Sequence, residues 1–118
     1  MKIPNADRAL IDIKKLQDYC LSPYHPRGKY KAHLFREVLG LTSKDAAELK
    51  RILLNIVRTN EAVTTLEDQY GKRYIIDSTI TTSIGQARVR SSWIILSNEN
   101  FPRLTSCYIL KRESKINE

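Results

Sequence analysis

The first residues capable of acid/base chemistry stand around a short loop in the first half of the chain. His25 lies in the stretch Pro23-Tyr24-His25-Pro26, and Lys31 follows six positions later. An imidazole titrates near neutral pH and can transfer protons during RNA cleavage. The backbone N–H groups at the start of the following helix would also favour an anion. The loop is therefore a candidate for phosphodiester chemistry. The alternative is a histidine that only makes a local hydrogen bond to the backbone.

Lys31 is a charged residue in the middle of an apolar helix face. At ~100° per residue it falls among Tyr30, Leu34 and Val38, whereas Lys29 falls on the opposite, polar side. An isolated buried ammonium is costly, so Lys31 requires a carboxylate, a route to solvent or a functional pocket. Two interpretations follow. Its stem packs while the amine reaches solvent, or the amine binds a phosphate.

A second group of candidates belongs to predicted strands. Arg88, Arg90 and Ser92 share one face of a strand, and Val89 and Trp93 share the other. We expect helices to cover the Val89/Trp93 face. The arginines then either bind phosphate and oppose charge developing at phosphorus, or form an ordinary solvated face. Further candidates are Arg103, Thr105 and Tyr108 in the last strand, Tyr70 beside a basic turn, and Arg27 and Lys29 beside the histidine loop.

The composition restricts the class of protein. The 118 residues contain 20 Lys+Arg and 13 Asp+Glu, giving a net charge of +7. A small basic domain favours an anionic partner such as nucleic acid, an acidic protein or lipid headgroups. No run approaches the ~18 apolar residues of a membrane helix, and the start of the chain lacks a signal-peptide core. The two cysteines, Cys20 and Cys107, fit a reducing cytoplasm, and we expect Cys107 to be buried rather than nucleophilic. With no metal-ligand cluster, carboxylate pair or glycine-rich phosphate loop, the sequence predicts no metal and no cofactor.

Helices in the first half and strands in the second must position these residues. Asp12 is suited to cap the first helix, and Gly40 to end the second. The resulting prediction is an α+β fold with two to three N-terminal helices on one face of a four-stranded antiparallel meander sheet. The expected helices span 13–21, 29–39 and 44–58, and the expected strands span 61–66, 73–80, 88–96 and 104–110. We expect one domain over 1–111, followed by a polar tail over 112–118.

Two parts of the chain carry a resemblance to a known family. The first is the motif His25-Pro26-x-Gly28-x-x-Lys31-Ala32 within 16–40, and the second comprises 89–94 and 101–108. Both resemble the signature of a small bacterial domain family of unknown function, common in cyanobacteria. Its members occur as stand-alone proteins and as C-terminal domains of polymorphic toxins and phage head-morphogenesis-like proteins.

The resemblance implies a fold and an activity. Helices followed by a four-stranded meander look like the barnase/EndoU/colicin/RelE superfamily of metal-independent ribonucleases, which place the active site on the open sheet face. By this resemblance His25 and Lys31 match the first motif. Arg90, Thr105 and Tyr108 match the later strands. No glutamate in an obvious strand position replaces the base of barnase.

Two functions are therefore expected. The first is an endoribonuclease toxin of a toxin–antitoxin type system, acting in the cytoplasm on RNA through its 2′-hydroxyl and bound by an acidic antitoxin protein. The alternative is a non-catalytic basic module, such as an antitoxin-like or RNA-binding adaptor protein. Nothing in the sequence specifies an oligomeric state. The predicted catalytic residues are His25, Lys31, Arg90, Thr105 and Tyr108, and the predicted RNA-binding residues are Arg27, Lys29, Tyr70, Arg88 and Arg103.

Overall fold

Three helices precede a four-stranded sheet in the computed structural model, which describes residues 1–110. This is the expected α+β class. The strands follow one another in the order β1-β2-β3-β4, and every neighbouring pair is antiparallel, so the sheet is the predicted meander. The polar tail predicted for 112–118 lies outside the described residues. The helices are α1 at Ile13–Lys15, α2 at Lys29–Leu34 and α3 at Ala46–Thr59. A π-helical turn continues each of the first two, at Leu16–Cys20 after α1 and at Phe35–Leu39 after α2. The strands are β1 at Val63–Asp68, β2 at Gly71–Thr81, β3 at Gln86–Leu96 and β4 at Arg103–Ile109.

The helix ends follow the capping signals in the sequence. The Asp12 carboxylate accepts a hydrogen bond of 3.0 Å from the backbone N–H of Lys14 at the start of α1. Thr42 and Asp45 form a capping box before α3. After the second helix, Gly40 adopts φ 68°, the left-handed conformation that a glycine reaches at little steric cost. These local signals explain why all three predicted helices are confirmed.

The core lies between the helices and one face of the sheet. Tyr74 and Trp93 are cross-strand partners on this face and are almost fully buried. The Trp93 indole N–H donates a 2.9 Å hydrogen bond to the buried Ser91 hydroxyl, which satisfies both polar groups inside the core. Phe35 from α2 and Leu53 from α3 are buried in the same cluster. The expectation that helices cover the Val89/Trp93 face is confirmed.

The opposite face of the sheet, hereafter the open sheet face, carries most of its charged residues. Asp77 in β2 pairs with Arg90 in β3, and Arg90 pairs in turn with Tyr108 in β4. Successive side chains of a strand alternate between the two faces, so these three residues share the face opposite the Val89/Trp93 core face. Among residues 1–110, no helix is both long and apolar enough to cross a bilayer.

Candidate functional site

A shallow groove of about 720 Å³ runs between α1, the histidine loop and β4. We call it the β4 groove. It contains three cationic side chains, Lys14, Lys15 and Arg27, and within residues 1–110 none of them forms an ion pair. Asp12 is its acidic member, and that carboxylate caps α1. The groove therefore presents net positive charge. Its remaining lining residues are Tyr19, His25, Thr105 and Ser106.

The His25 ring is oriented by the start of α2. Its Nδ1 accepts hydrogen bonds from the backbone N–H groups of Arg27, at 3.1 Å, and Gly28, at 3.2 Å. Because Nδ1 serves as the acceptor, the neutral ring carries its proton at Nε2 and can donate it in a hydrogen bond. The edge-to-face contact with Tyr19, 4.5 Å between ring centroids, holds the other side of the imidazole. His25 thus combines the local backbone contact with a position in the groove.

Gly28 is required by a close approach of two chain segments. A Cβ atom at this position would lie 2.6 Å from the backbone oxygen of Tyr19, well inside van der Waals contact. Only a residue without a side chain lets the histidine loop pass this close to the π-helical turn that follows α1. The glycine of the His-Pro-x-Gly motif therefore sets the distance between Tyr19 and the His25 ring.

A β-bulge shapes the strand that forms the other wall of the groove. Trp93 pairs with Leu104 and Ser92 pairs with Ser106, so Thr105 is an extra residue in β4. Thr105 is exposed and lines the groove together with Ser106. The groove therefore contains two hydroxyl groups as well as the His25 imidazole.

Lys31 reaches β4 from α2. Its Nζ lies 4.5 Å from the centroid of the Tyr108 ring, a cation–π contact, and the lysine is half-buried. Tyr108 and Ser106 are two residues apart on one face of β4, so they are about 7 Å apart along the strand. The Lys31–Tyr108 contact therefore lies near the β4 groove, although neither residue lines it. Both sequence interpretations of Lys31 are compatible with this geometry, because the stem packs while the amine sits beside an aromatic ring.

Arg90 is held by a carboxylate that the sequence analysis did not single out. Its guanidinium makes two hydrogen bonds to Asp77, from Nε to Oδ1 at 2.8 Å and from a terminal nitrogen to Oδ2 at 2.9 Å. This bidentate pair raises the pKa of Arg90 and lowers the pKa of Asp77. Arg90 also lies beside its cross-strand partner Tyr108. It is thus adjacent to the Lys31–Tyr108 contact, with its fork of donors already occupied.

The other predicted RNA-binding residues are dispersed. Arg27 lies in the β4 groove, whereas Lys29 lies on the far side of α2 from Lys31. Arg88 donates to the Thr79 hydroxyl at 3.3 Å on the open sheet face. Arg103 is paired with Glu99 through hydrogen bonds of 2.7 and 2.6 Å.

Tyr70 stands in the turn between β1 and β2, 61% exposed. The next residue, Gly71, is six positions from Asp77 along β2, which is roughly 20 Å at ~3.3 Å per residue. The structure therefore separates Tyr70 from the Arg90–Tyr108 region and does not bring it to the groove.

Cys107 lies directly behind this surface. It is buried, and its hydrogen bond with Cys20, together with burial, raises the pKa of the Cys107 thiol. A buried thiol with a raised pKa is a poor nucleophile. The expectation that Cys107 is a buried core residue is confirmed.

Sequence reasoning missed four residues of this region: Lys14, Lys15, Ser106 and Asp77. Ser106 carried a usable signal, because it stands two positions before Tyr108 and must share its face. Lys14 and Lys15 carry no sequence signal that distinguishes them from ordinary solvated lysines of a helix. Among residues 1–110, no group of three or more His, Cys, Asp or Glu side chains could hold a metal ion.

Comparison with known proteins identifies the family. The family model described as a domain of unknown function, DUF6883, matches residues 2–111, so the chain belongs to that family. No curated protein and no solved structure matches the chain.

Proposed function

We propose that this protein is an endoribonuclease that binds RNA phosphates in the β4 groove and cleaves the RNA through its own 2′-hydroxyl without a metal. The observation that carries the proposal is that His25, Thr105 and Ser106 line one groove with three cations that lack ion-pair partners among the described residues. The Lys31–Tyr108 contact lies next to Ser106 along β4. Single-stranded RNA is bound by such combinations of basic grooves, hydroxyls and tyrosine rings.

In this proposal the groove works by positioning and by charge. RNA supplies its own nucleophile, so the protein must orient the 2′-hydroxyl in line and stabilise the charge on the phosphorane. The attacking 2′-oxygen gives its proton to water, the bond from phosphorus to the 5′-oxygen breaks, and the leaving oxygen takes a proton from water. The products are a 2′,3′-cyclic phosphate and a 5′-hydroxyl end. Lys14, Lys15 and Arg27 hold phosphates next to the scissile one. The Nε2–H group of His25 donates to a non-bridging oxygen, and the Lys31 ammonium lies opposite the developing charge.

The remaining predicted catalytic residues have supporting roles. The Thr105 hydroxyl donates to the phosphate from the other wall of the groove. Tyr108 fixes the Lys31 amine through the cation–π contact. Arg90 is a positioning residue for Tyr108, because Asp77 occupies its guanidinium. An arginine held in this way stiffens the sheet beneath the site rather than binding phosphate itself.

Cleavage of RNA in EDTA tests the proposal. The purified protein should cleave cellular RNA, and Lys31→Gln should lower the rate by about 100-fold, the usual loss when one charge-stabilising donor is removed. Arg58→Gln removes one positive charge from an exposed position on α3 and should leave the rate unchanged. Absence of cleavage by the wild-type protein would reject the nuclease, and cleavage by a His25→Ala/Lys31→Ala double variant at the wild-type rate would reject this site.

The resemblance of the motif to toxin domains supports a toxin of a toxin–antitoxin type system acting in the cytoplasm. Expression should then arrest growth, and the Lys31→Gln variant should relieve the arrest. The net charge of +7 favours an acidic antitoxin that covers the β4 groove. Co-expression of such an antitoxin should restore growth and block RNA cleavage by the purified complex.

The second candidate is a non-catalytic module that binds RNA or an acidic protein. Two observations favour it: the Nδ1 atom of His25 is occupied by backbone N–H groups, and Arg90 is occupied by Asp77. The His25 imidazole and the Arg90 guanidinium, both predicted to be catalytic, thus have partners within the protein that fit a structural role. Harmless expression, together with RNA binding that Lys31→Gln weakens, would favour this function over the nuclease.

A further inference from the structure

A second concavity lies on the other side of α2 and plays no part in the function proposed above. We call it the α2 pocket. It has a volume of about 520 Å³, within the range of roughly 300–1,000 Å³ typical of small-molecule sites. Lys29 and His33, which line it, are four residues apart on the helix, and Lys31 lies between them in sequence. Residues two positions apart point ~200° away from each other around a helix. The α2 pocket and the Lys31–Tyr108 contact therefore lie on opposite sides of α2.

One wall of the α2 pocket is cationic. Lys29, His33 and Arg36 follow one another at spacings of four and three residues, so they form a single row along the helix. The Arg36 side chain has an exposed contact of 3.7 Å with Glu37, its sequence neighbour, which is a weak interaction in water. Within the described chain, Lys29 makes no ion pair. The row therefore offers several donors to one anionic group.

The floor and the opposite wall have different chemistry. Leu21, Pro23 and Ala32 give the floor an apolar surface, and Tyr30 adds an aromatic ring that is 76% exposed. Across from the cations stands the Ser43 hydroxyl. Its neighbour Thr42 also lines the pocket, but that hydroxyl is used in the capping box with Asp45. A ligand that fills the pocket must therefore combine a flat apolar part with an anionic part.

We propose that the α2 pocket binds one nucleotide, with its phosphate on the Lys29–His33–Arg36 row and its base against Tyr30 and the apolar floor. Bases stack on tyrosine rings regardless of sequence, and phosphates take charge-assisted hydrogen bonds from lysine and arginine. The nucleotide is either free or part of an RNA chain. Where it is part of RNA, the inference rests on the proposed function.

Calorimetric titration of the whole protein tests the pocket directly. Adenosine 5′-monophosphate should bind, and Lys29→Gln/Arg36→Gln should weaken its binding by about tenfold. Lys2→Gln/Arg58→Gln removes the same charge from exposed positions elsewhere and should change binding less than twofold. A Tyr30→Ala variant, which alters one exposed side chain, should also weaken the nucleotide. Failure of the nucleotide to bind, or equal binding by all these variants, would overturn the inference.

Two further probes test the ligand class. Inorganic phosphate and adenosine should each bind at least tenfold more weakly than the monophosphate, because each fills only one part of the pocket. Phosphate binding as tightly as the nucleotide would overturn the role of the base. Amide chemical shifts of Tyr30 and His33 should move with the nucleotide, and those of Thr105 and Ser106 should not.

A short RNA separates the two sources of the nucleotide and the two proposals. If the nucleotide belongs to RNA, Lys29→Gln/Arg36→Gln weakens RNA binding as well as monophosphate binding. If the ligand is free, only monophosphate binding falls. Lys31→Gln should leave monophosphate binding unchanged in either case. A protein that cleaves RNA but binds no monophosphate would refute the pocket and leave the nuclease intact, and the reverse result would refute the nuclease alone.

Discussion

The β4 groove and the open sheet face are both rich in cations, but they differ in what those cations contact. On the open sheet face, Arg73, Arg90 and Arg103 each lie within 4.0 Å of a carboxylate, in two cases through paired hydrogen bonds. In the groove, Lys14, Lys15 and Arg27 have no such partner among residues 1–110. With Arg88, which has no carboxylate partner among these residues, the open sheet face carries four arginines against three cations in the groove, so a count of positive residues alone would favour the open sheet face.

The difference shows that the partners of a cation decide what its surface can bind. An arginine held by a bidentate carboxylate is part of a neutral pair and already uses two of its five N–H donors, so it attracts a phosphate less strongly. A lysine that is paired only with water can exchange that water for phosphate and release counterions from the RNA. We therefore expect the β4 groove to bind phosphate better than the open sheet face, where the ion pairs mainly stabilise the sheet.

The largest effect is expected from Gly28→Ala, because the new methyl group would overlap the backbone oxygen of Tyr19. Overpacking of this kind costs about 2 kcal/mol in the free energy of unfolding. Urea denaturation measures it. Arg27→Ala, at an exposed position of the same loop, should cost less than ~0.5 kcal/mol. Equal stability of Gly28→Ala and the wild type would contradict the close approach that builds the groove wall.

The second prediction compares two double variants of equal charge. Arg27→Gln/Lys31→Gln in the groove region should weaken binding of a short single-stranded RNA by about tenfold and reduce the salt slope by about 1.4, at ~0.7 per phosphate contact. Arg88→Gln/Arg103→Gln on the open sheet face should change affinity less than twofold. Fluorescence anisotropy at several salt concentrations measures both. Equal losses would show that the two surfaces contribute alike.

The third prediction concerns Asp77→Asn, which releases Arg90 and makes the open sheet face more like the groove. RNA affinity should rise about twofold, while the loss of this half-buried ion pair costs about 1 kcal/mol of stability at pH 7. Because Arg90 lowers the pKa of Asp77, its stabilisation is present above the ordinary value of 3.8 and is lost as the pH falls below it. Urea unfolding of both proteins at pH 7 and near pH 3 should therefore show a difference that is smaller in acid. A difference that does not shrink between pH 7 and pH 3 would contradict the ion pair.

The smallest effect is expected from Glu99→Gln. This change releases Arg103 from its carboxylate, but the guanidinium still lies 5.3 Å from the centroid of the Phe101 ring. RNA affinity should rise by less than twofold, below the effect of Asp77→Asn. The same anisotropy assay measures it. A larger gain in RNA affinity than that of Asp77→Asn would contradict this order, because it would show that Arg103 binds RNA more readily than Arg90 once its carboxylate is removed.

The fold was predictable where the signals were local. Asp12 and Gly40 marked helix ends through caps that involve only neighbouring residues, and these predictions are confirmed. The alternation of Arg88, Val89 and Arg90 indicated which face of β3 the helices cover. Short turns between consecutive strands favour neighbours in sequence as neighbours in the sheet, which accounts for the correct meander.

The candidate site was only partly predictable because its members are distant in sequence. Lys31 was noticed as a charge in an apolar face, but its contact with Tyr108 depends on how α2 lies against β4. The pairing of Asp77 with Arg90 depends on the register of β2 and β3, and a slip of one residue would place the two side chains on opposite faces. Local sequence patterns predict neither the packing of α2 against β4 nor the register of β2 and β3.

The sequence by itself determined the helices, the strands, their order and the overall positive charge, because capping, alternation and composition act over a few residues or over the whole chain. Only the tertiary structure decided which cations remain available and which are neutralised, and that the histidine loop, the bulge of β4 and Lys31 meet in one region. The reason is physical: burial, ion pairing and contact depend on distances in space between residues that lie far apart in the chain.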